Sequence, residues 1–262
     1  MKVDLAGQVA FVTGAAGAIG GAIARAYAAN GAHVVVADID GAGAHRMADS
    51  LPGGSSTHMA VTVDIRDETA IEAAFGAVSE RFGRLDILVN NAGVNTMAHR
   101  VTLEAFPTHE WDRIVDIDLK GLFLVSRAGV KPMLAAGRGR VVNVASIVGL
   151  VPLRLQSPFV AAKAGVVHLT RSMALELGGR GVLVNGIAPG STLTEGTRQL
   201  FYSADGQFSA NAQRMLAQVA LGRPGTVEEI AAGALFLADP ETTFVNGHVL
   251  TIDGGWTAGA ML

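Results

Sequence analysis

Cysteine is missing from all 262 residues, which excludes disulfides, thiolate catalysis and cysteine-bound metal. A basic excess is missing too. The 20 Lys and Arg stand against 23 Asp and Glu for a net charge of −3, scattered without a basic run, so the footprint of a nucleic-acid binder is absent. No apolar run approaches the about 20 residues of a spanning helix, although 50% of the residues are hydrophobic. The first ten residues contain Asp4 and Gly7 and no apolar export segment, so the expectation is a soluble, cytoplasmic chain without a membrane partner. The histidines (33, 45, 58, 99, 109, 168 and 248) show no metal-ligand spacing, and no metal is expected. Aromatics are sparse, and the tyrosines are two, Tyr27 and Tyr202.

What is present is an alternation. Short apolar runs bounded by glycine, Asn or Asp recur between amphipathic or Ala-rich segments, a pattern that predicts βαβ units around a parallel sheet. Strands buried on both faces account for the high hydrophobicity. The predicted strands are 9–12, 33–37, 59–63, 85–90, 140–145, 182–187 and 248–252, and the predicted helices 19–29, 68–81, 111–135, 159–177 and 227–237. This is an α/β, Rossmann-like, doubly wound chain with a seven-stranded parallel sheet, read as one domain over 1–262. The segment 191–225 interrupts the alternation. It is too long for an ordinary βα connection and mixes polar with aromatic residues, which predicts a lid over a ligand at the strands' carboxyl ends.

Thr13-Gly14-Ala15-Ala16-Gly17-Ala18-Ile19-Gly20 follows the first strand and opens a helix. Glycines there let backbone N–H groups approach a pyrophosphate, which the positive end of the helix favours. Asp38 ends the second strand, 18 residues after Gly20. A carboxylate in that place accepts hydrogen bonds from ribose hydroxyls and repels a 2′-phosphate, and the glycine turn carries no Arg or Lys to attract one; NAD is expected rather than NADP. The plainer reading makes Asp38 a turn residue before Asp40-Gly41.

Together with Asp64 after the third strand, Asn90-Asn91-Ala92-Gly93 after the fourth, Ser146 after the fifth, Lys163 on the following helix and Pro189-Gly190 after the sixth, these motifs make the chain resemble the short-chain dehydrogenase/reductase family over essentially its whole length. Ala18 stands where members usually carry Gly, so a methyl group crowds the pyrophosphate slightly. The resemblance implies that Asp64 accepts a hydrogen bond from the adenine amino group, that Ile65 meets the ring edge through its backbone, and that Asn91, Ala92 and Gly93 line the adenosine ribose. It further implies that Thr192 and Thr194 hold the nicotinamide carboxamide or the phosphates, and that Lys163 binds the nicotinamide ribose.

The family uses a tyrosine as general acid or base, a lysine one helical turn later that lowers the phenol's pKa, and a serine that polarises the substrate oxygen. Ser146 and Lys163 occupy their places, but the position four before the lysine and 13 after the serine is Phe159. The spacing puts Phe159 and Lys163 on one helix face, so the geometry survives without the hydroxyl. Asp118 stands where the family commonly has an Asn that supports a water-linked proton relay; an Asp there can still hold water. Two readings of Phe159 stay open. It is a deliberate replacement of tyrosine that traps a substrate complex, which the retention of the other positions favours, or it is native in a retired or repurposed NAD binder. A sensor or interaction protein on the same fold is the alternative to an enzyme.

Asn95 and Thr96, residues 153–156 with Arg154 and Gln156, and the lid with Arg198 and Arg214 are expected to ring the substrate with Ser146. Their donors suggest a sugar, polyol or hydroxy acid. The resemblance implies a homotetramer built on the long helices after strands four and five and on the last strand.

Overall fold

The computed structural model describes residues 2–96, 99–203 and 206–259. Seven strands, β1 (Val9–Thr13), β2 (His33–Asp38), β3 (Met59–Thr62), β4 (Ile87–Asn90), β5 (Gly139–Val144), β6 (Val182–Pro189) and β7 (Val249–Ile252), form one sheet in the order β3-β2-β1-β4-β5-β6-β7. Every pairing is parallel. The helices are α1 (Ala18–Ala29), α2 (Gly41–Ser50), α3 (Gly54–Thr57), α4 (Glu68–Phe82), α5 (Thr108–Val115), α6 (Leu122–Ala136), α7 (Ser157–Leu177), α8 (Arg198–Phe201), α9 (Ala210–Leu216) and α10 (Val227–Ala238).

The two-residue period of the strands divides the core between the faces. On β1, Ala10 and Val12 join a cluster with Ile23 and Tyr27 of α1 and Ile230 and Leu235 of α10. Val9 and Phe11 point the other way, to Ile71 and Phe75 of α4 and Leu124 and Val125 of α6. Helices on both faces make this the doubly wound, Rossmann-like single domain that the alternation predicts. The order reverses between β1 and β4, which opens a crevice at their carboxyl ends.

Three parts differ from the sequence reading. Residues 41–57 hold α2 and α3, which two glycines in a short polar segment conceal; Asp40 caps α2 by accepting from the Gly43 N–H at 2.9 Å, and Ala44 and Ala48 bury against the sheet. The predicted helix 111–135 starts earlier and is divided: α5 and α6 are joined by a π-helical turn, Asp116–Gly121. The extra residue of such a turn rotates the following side chains, and Gly121 lies so close to Ile65 that a Cβ would meet its Cδ1 at 2.7 Å. Segment 191–225 contains α8 and α9 around a small core of Phe201, Ala212, Leu216 and Val219. Its ends are tied at a neck, where the Leu193 N–H donates to Gly225 O and the Gly225 N–H to Ser191 O, both at 2.8 Å.

Candidate active site

The turn after β1 is shaped by two close approaches. Gly14 has φ +62°, and a Cβ there would meet Ala92 Cα at 2.8 Å; at Gly20 it would collide with the Gly14 carbonyl and lie 2.5 Å from Asn91 Nδ2. Asn91 fastens the turn to β4, its Nδ2 donating to Thr13 O at 2.9 Å and Gly14 O at 3.1 Å. The Thr13 hydroxyl accepts from the Asn91 and Ala92 N–H groups. Gly17, the cap of α1, brings no side chain to the first-turn amides, and no acid occupies that turn. Unsatisfied N–H groups and the helix dipole therefore favour an anion here.

A groove of about 620 Å³ runs from this turn across the crevice, lined by Gly14, Gly17, Ala18, Ile19, Gly20, Asp38, Asp64, Ile65, Asn91, Ala92, Gly93 and Thr194. Asp38 is pinned by two backbone donors, Ala16 N–H to Oδ2 and Asp40 N–H to Oδ1, each at 3.0 Å. Asp64 is gripped by Arg66, Nη2 to Oδ2 at 2.6 Å and Nε to Oδ1 at 3.0 Å, and this guanidinium holds its carboxyl below the usual range. Arg66 and Arg113 line the groove as cations the sequence reading missed. Arg113 is likewise engaged, donating to Glu110. The glycine cradle, the uncapped helix start and the pinned carboxylate together fit a dinucleotide.

The groove continues through Ile19, Asn91, Gly93, Val94 and Thr194 into a chamber of about 830 Å³. Its walls bring together Ser146, Phe159, Lys163, Asp118, Asn95, Gln156, Pro189, Gly190 and Thr192. Ser146 caps the helical turn Ile147–Gly149, its Oγ accepting from the Val148 N–H at 3.3 Å. That turn sits hard against α7: a Cβ on Gly149 would lie 2.6 Å from the Lys163 carbonyl carbon. Lys163 is buried, Nζ donating to Val144 O at 3.1 Å, and lies 5.7 Å from the centre of the Phe159 ring. Asp118, carried by the π-helical turn, accepts the Val94 N–H on Oδ1 at 2.7 Å and places Oδ2 at 3.2 Å from Lys163 Nζ. A buried polar ladder holds the site's elements to the sheet. Asn90 donates to Ser126 of α6 and to Asn143 of β5, and Asn143 to Thr170 of α7.

Three predicted rim cations lie elsewhere. Arg154 is exposed outside the chamber. Arg198 stacks on Tyr202 and lines a separate cleft with Arg25, and Arg214 donates to Asn211. A chamber cation comes instead from Arg100, in the loop after β4, which has no ion-pair partner among the described residues. Leu153, Leu200, Phe201, Met215 and Trp256 supply an apolar wall. Thr194 shares its hydroxyl with Thr197 in a capping box, and Thr192 Oγ1 donates to Gly190 O at 3.1 Å. Arg100 and Trp256 carried no sequence signal, since only folding brings them beside Ser146.

Comparison with known proteins covers nearly the whole chain. The family described as Enoyl-(Acyl carrier protein) reductase matches residues 14–257. The D-threitol dehydrogenase of Mycolicibacterium smegmatis is 42% identical over 253 residues, 97% of this chain and 94% of that protein. The trans-4-hydroxycyclohexanecarboxylate dehydrogenase of Sinomonas cyclohexanicum is 39% identical over 261 residues, 97% and 95% of the two chains. The crystal structure of gox2181 superposes with a TM-score of 0.91 at 32% identity, covering 98% of both chains.

Proposed function

The chain belongs to the short-chain dehydrogenase/reductase family, and from that premise we propose that it binds NAD(H) and acts between a secondary alcohol and its ketone, with turnover held down by Phe159. Asp38 carries the cofactor reading: its oxygens are fixed by Ala16 and Asp40 at the place where the adenosine ribose diol would meet them. The first-turn amides of α1 would hold the pyrophosphate, and Thr192 and Lys163 the nicotinamide end. A nicotinamide dinucleotide bound there supplies or accepts the hydride. Ser146 donates its hydroxyl to the substrate oxygen and steadies the charge that develops on it. At position 159 a ring packs against the substrate's reacting end and offers no proton. Loss of a positioned acid costs on the order of 10²–10⁴ in rate.

For the substrate, Arg100 and the apolar wall together favour a hydroxy acid over a polyol: the guanidinium would pair with the carboxylate while the hydrocarbon body lies on Leu153, Met215 and Trp256. The flap that carries α8 and α9 would close over it. Exposed Trp111, Phe123, Leu175 and Phe244 suit a homotetramer assembled through α5, α6, α7 and the approach to β7.

A second reading, an NAD(H)-dependent sensor, draws support from the joint presence of Phe159 and the Lys163–Asp118 contact. The test titrates the protein with NADH by fluorescence, then assays NAD reduction with 3-hydroxybutyrate and D-threitol before and after Phe159→Tyr. Binding followed by a gain in rate supports the enzyme. Tight binding with no turnover in any variant supports the sensor, and absence of binding overturns both.

A further inference from the structure

The Lys163–Asp118 contact is buried on both sides, with side chains 7% and 0% exposed. A buried ammonium needs a partner charge, and the surrounding elements offer one. Strands β5 and β6 carry no acid, and neither does α7 within a turn of Lys163 in either direction. On α5, Glu110 is taken by Arg113. Beside Asp118 in the π-helical turn, Asp116 and Lys120 pair with each other at 3.7 Å on the exposed side. Among the described residues, the charged members of the chamber wall are Arg100, Asp118 and Lys163. Asp118 Oδ2, fully enclosed, faces the ammonium without making a well-directed hydrogen bond. It acts as a counter-charge rather than as a donor-matched partner. The remaining face of the ammonium lies over the hydrocarbon ring of Phe159.

We propose that Asp118 is a positioning residue that absorbs the field of Lys163, so that position 159 sees a neutral pair instead of a cation. Residues 118 and 159 then form one functional unit. A cation within about 4–6 Å lowers the pKa of a neighbouring acid by one to three units; a cation already paired does so much less. A hydroxyl restored at 159 therefore stays close to the ordinary phenol value of about 10 while Asp118 remains, and becomes acidic once Asp118 is neutral. This account also ties Phe159 to a second change in the chain, which a single deliberate edit at 159 leaves unexplained.

The test compares Phe159→Tyr with Phe159→Tyr/Asp118→Asn by titrating tyrosinate absorbance, with the Phe159 protein in parallel as the baseline for Tyr27 and Tyr202. Tyr27 adds little, because burial pushes its phenol far above the ordinary range. The expected result is a pKa lower by about one unit or more in the double variant. Equal values, or a lower value while Asp118 is present, overturn the proposal. Asp118→Ser, smaller and also neutral, repeats the measurement if the amide variant fails to fold. The spectroscopic readout stands whether or not the proposed activity is right. A shift without NAD reduction on 3-hydroxybutyrate or D-threitol supports the inference and counts against the enzyme reading alone.

Discussion

Replacing Asp38 gives the sharpest test of the cofactor. A 2′-phosphate brings a charge of about −1.5 to −2 to within about 5 Å of this carboxylate. Coulomb's law gives about 3 kcal/mol per unit charge at an effective dielectric of about 20, and under 1 kcal/mol in bulk water. Asp38 is half-buried at the groove's edge, so a value of about 1.5 kcal/mol per unit charge applies, or about 3 kcal/mol for the phosphate. At 1.4 kcal/mol per tenfold, NADH should bind on the order of a hundredfold more tightly than NADPH. Asp38→Asn removes the repulsion and forfeits one of the two carboxylate oxygens that accept from the Ala16 and Asp40 N–H groups. NADH should then weaken by about tenfold, the worth of one charge-assisted hydrogen bond, and the preference should fall to about tenfold or less. Fluorescence titration of both cofactors at low and high salt measures this, and added salt should narrow the wild-type preference. Equal binding of NADPH by the unaltered protein, or an unchanged ratio in the variant, would refute the reasoning.

Three further outcomes are expected. Gly20→Ala forces a Cβ against the Gly14 carbonyl and Asn91, so NADH affinity should drop at least about tenfold, read by the same titration, with Gly76→Ala, where a Cβ meets nothing within 4 Å, as the control. Arg100→Gln should weaken 3-hydroxybutyrate binding to the NADH-loaded protein by about 1.5–3 kcal/mol, the worth of a hydrogen bond to a charged group, and leave D-threitol within twofold of its starting affinity; calorimetry decides. Arg223 grips Glu229 in the capping box of α10 and holds its pKa down to about 2. A depressed folded-state pKa stabilises above the ordinary carboxylate value and loses that contribution as pH falls toward 2. The melting-temperature difference between the protein and Glu229→Gln should accordingly be full at pH 7 and shrink below about pH 4.5.

The strands were legible because each carries its own burial pattern, and Asp38 because it ends one of them beside a glycine turn. Helix α2 was not: Gly41 and Gly43 lower its intrinsic preference, and it exists because Ala44 and Ala48 find the sheet. The π-helical turn leaves no mark in hydrophobic spacing, yet it delivers Asp118 to Lys163. At the site, Ser146, Phe159 and Lys163 were readable from their register along the chain. Arg100 was not readable, and Arg154, Arg198 and Arg214 were misplaced, because which arginine faces a cavity depends on loop geometry and on competing partners such as Tyr202 and Asn211.

The neck at Ser191, Leu193 and Gly225 has a dynamic consequence. Two backbone bonds there, with Leu221 N–H donating to Gly254 O at 3.1 Å, close off a miniature core that shares no buried member with the clusters flanking the sheet. Such a unit can detach as a whole while the strands keep their protection. Amides of 198–203 and 206–219 should exchange with solvent in one concerted event far ahead of those in β1 or β4, and Trp256, packed into the same miniature core, would report each opening as a change in its emission.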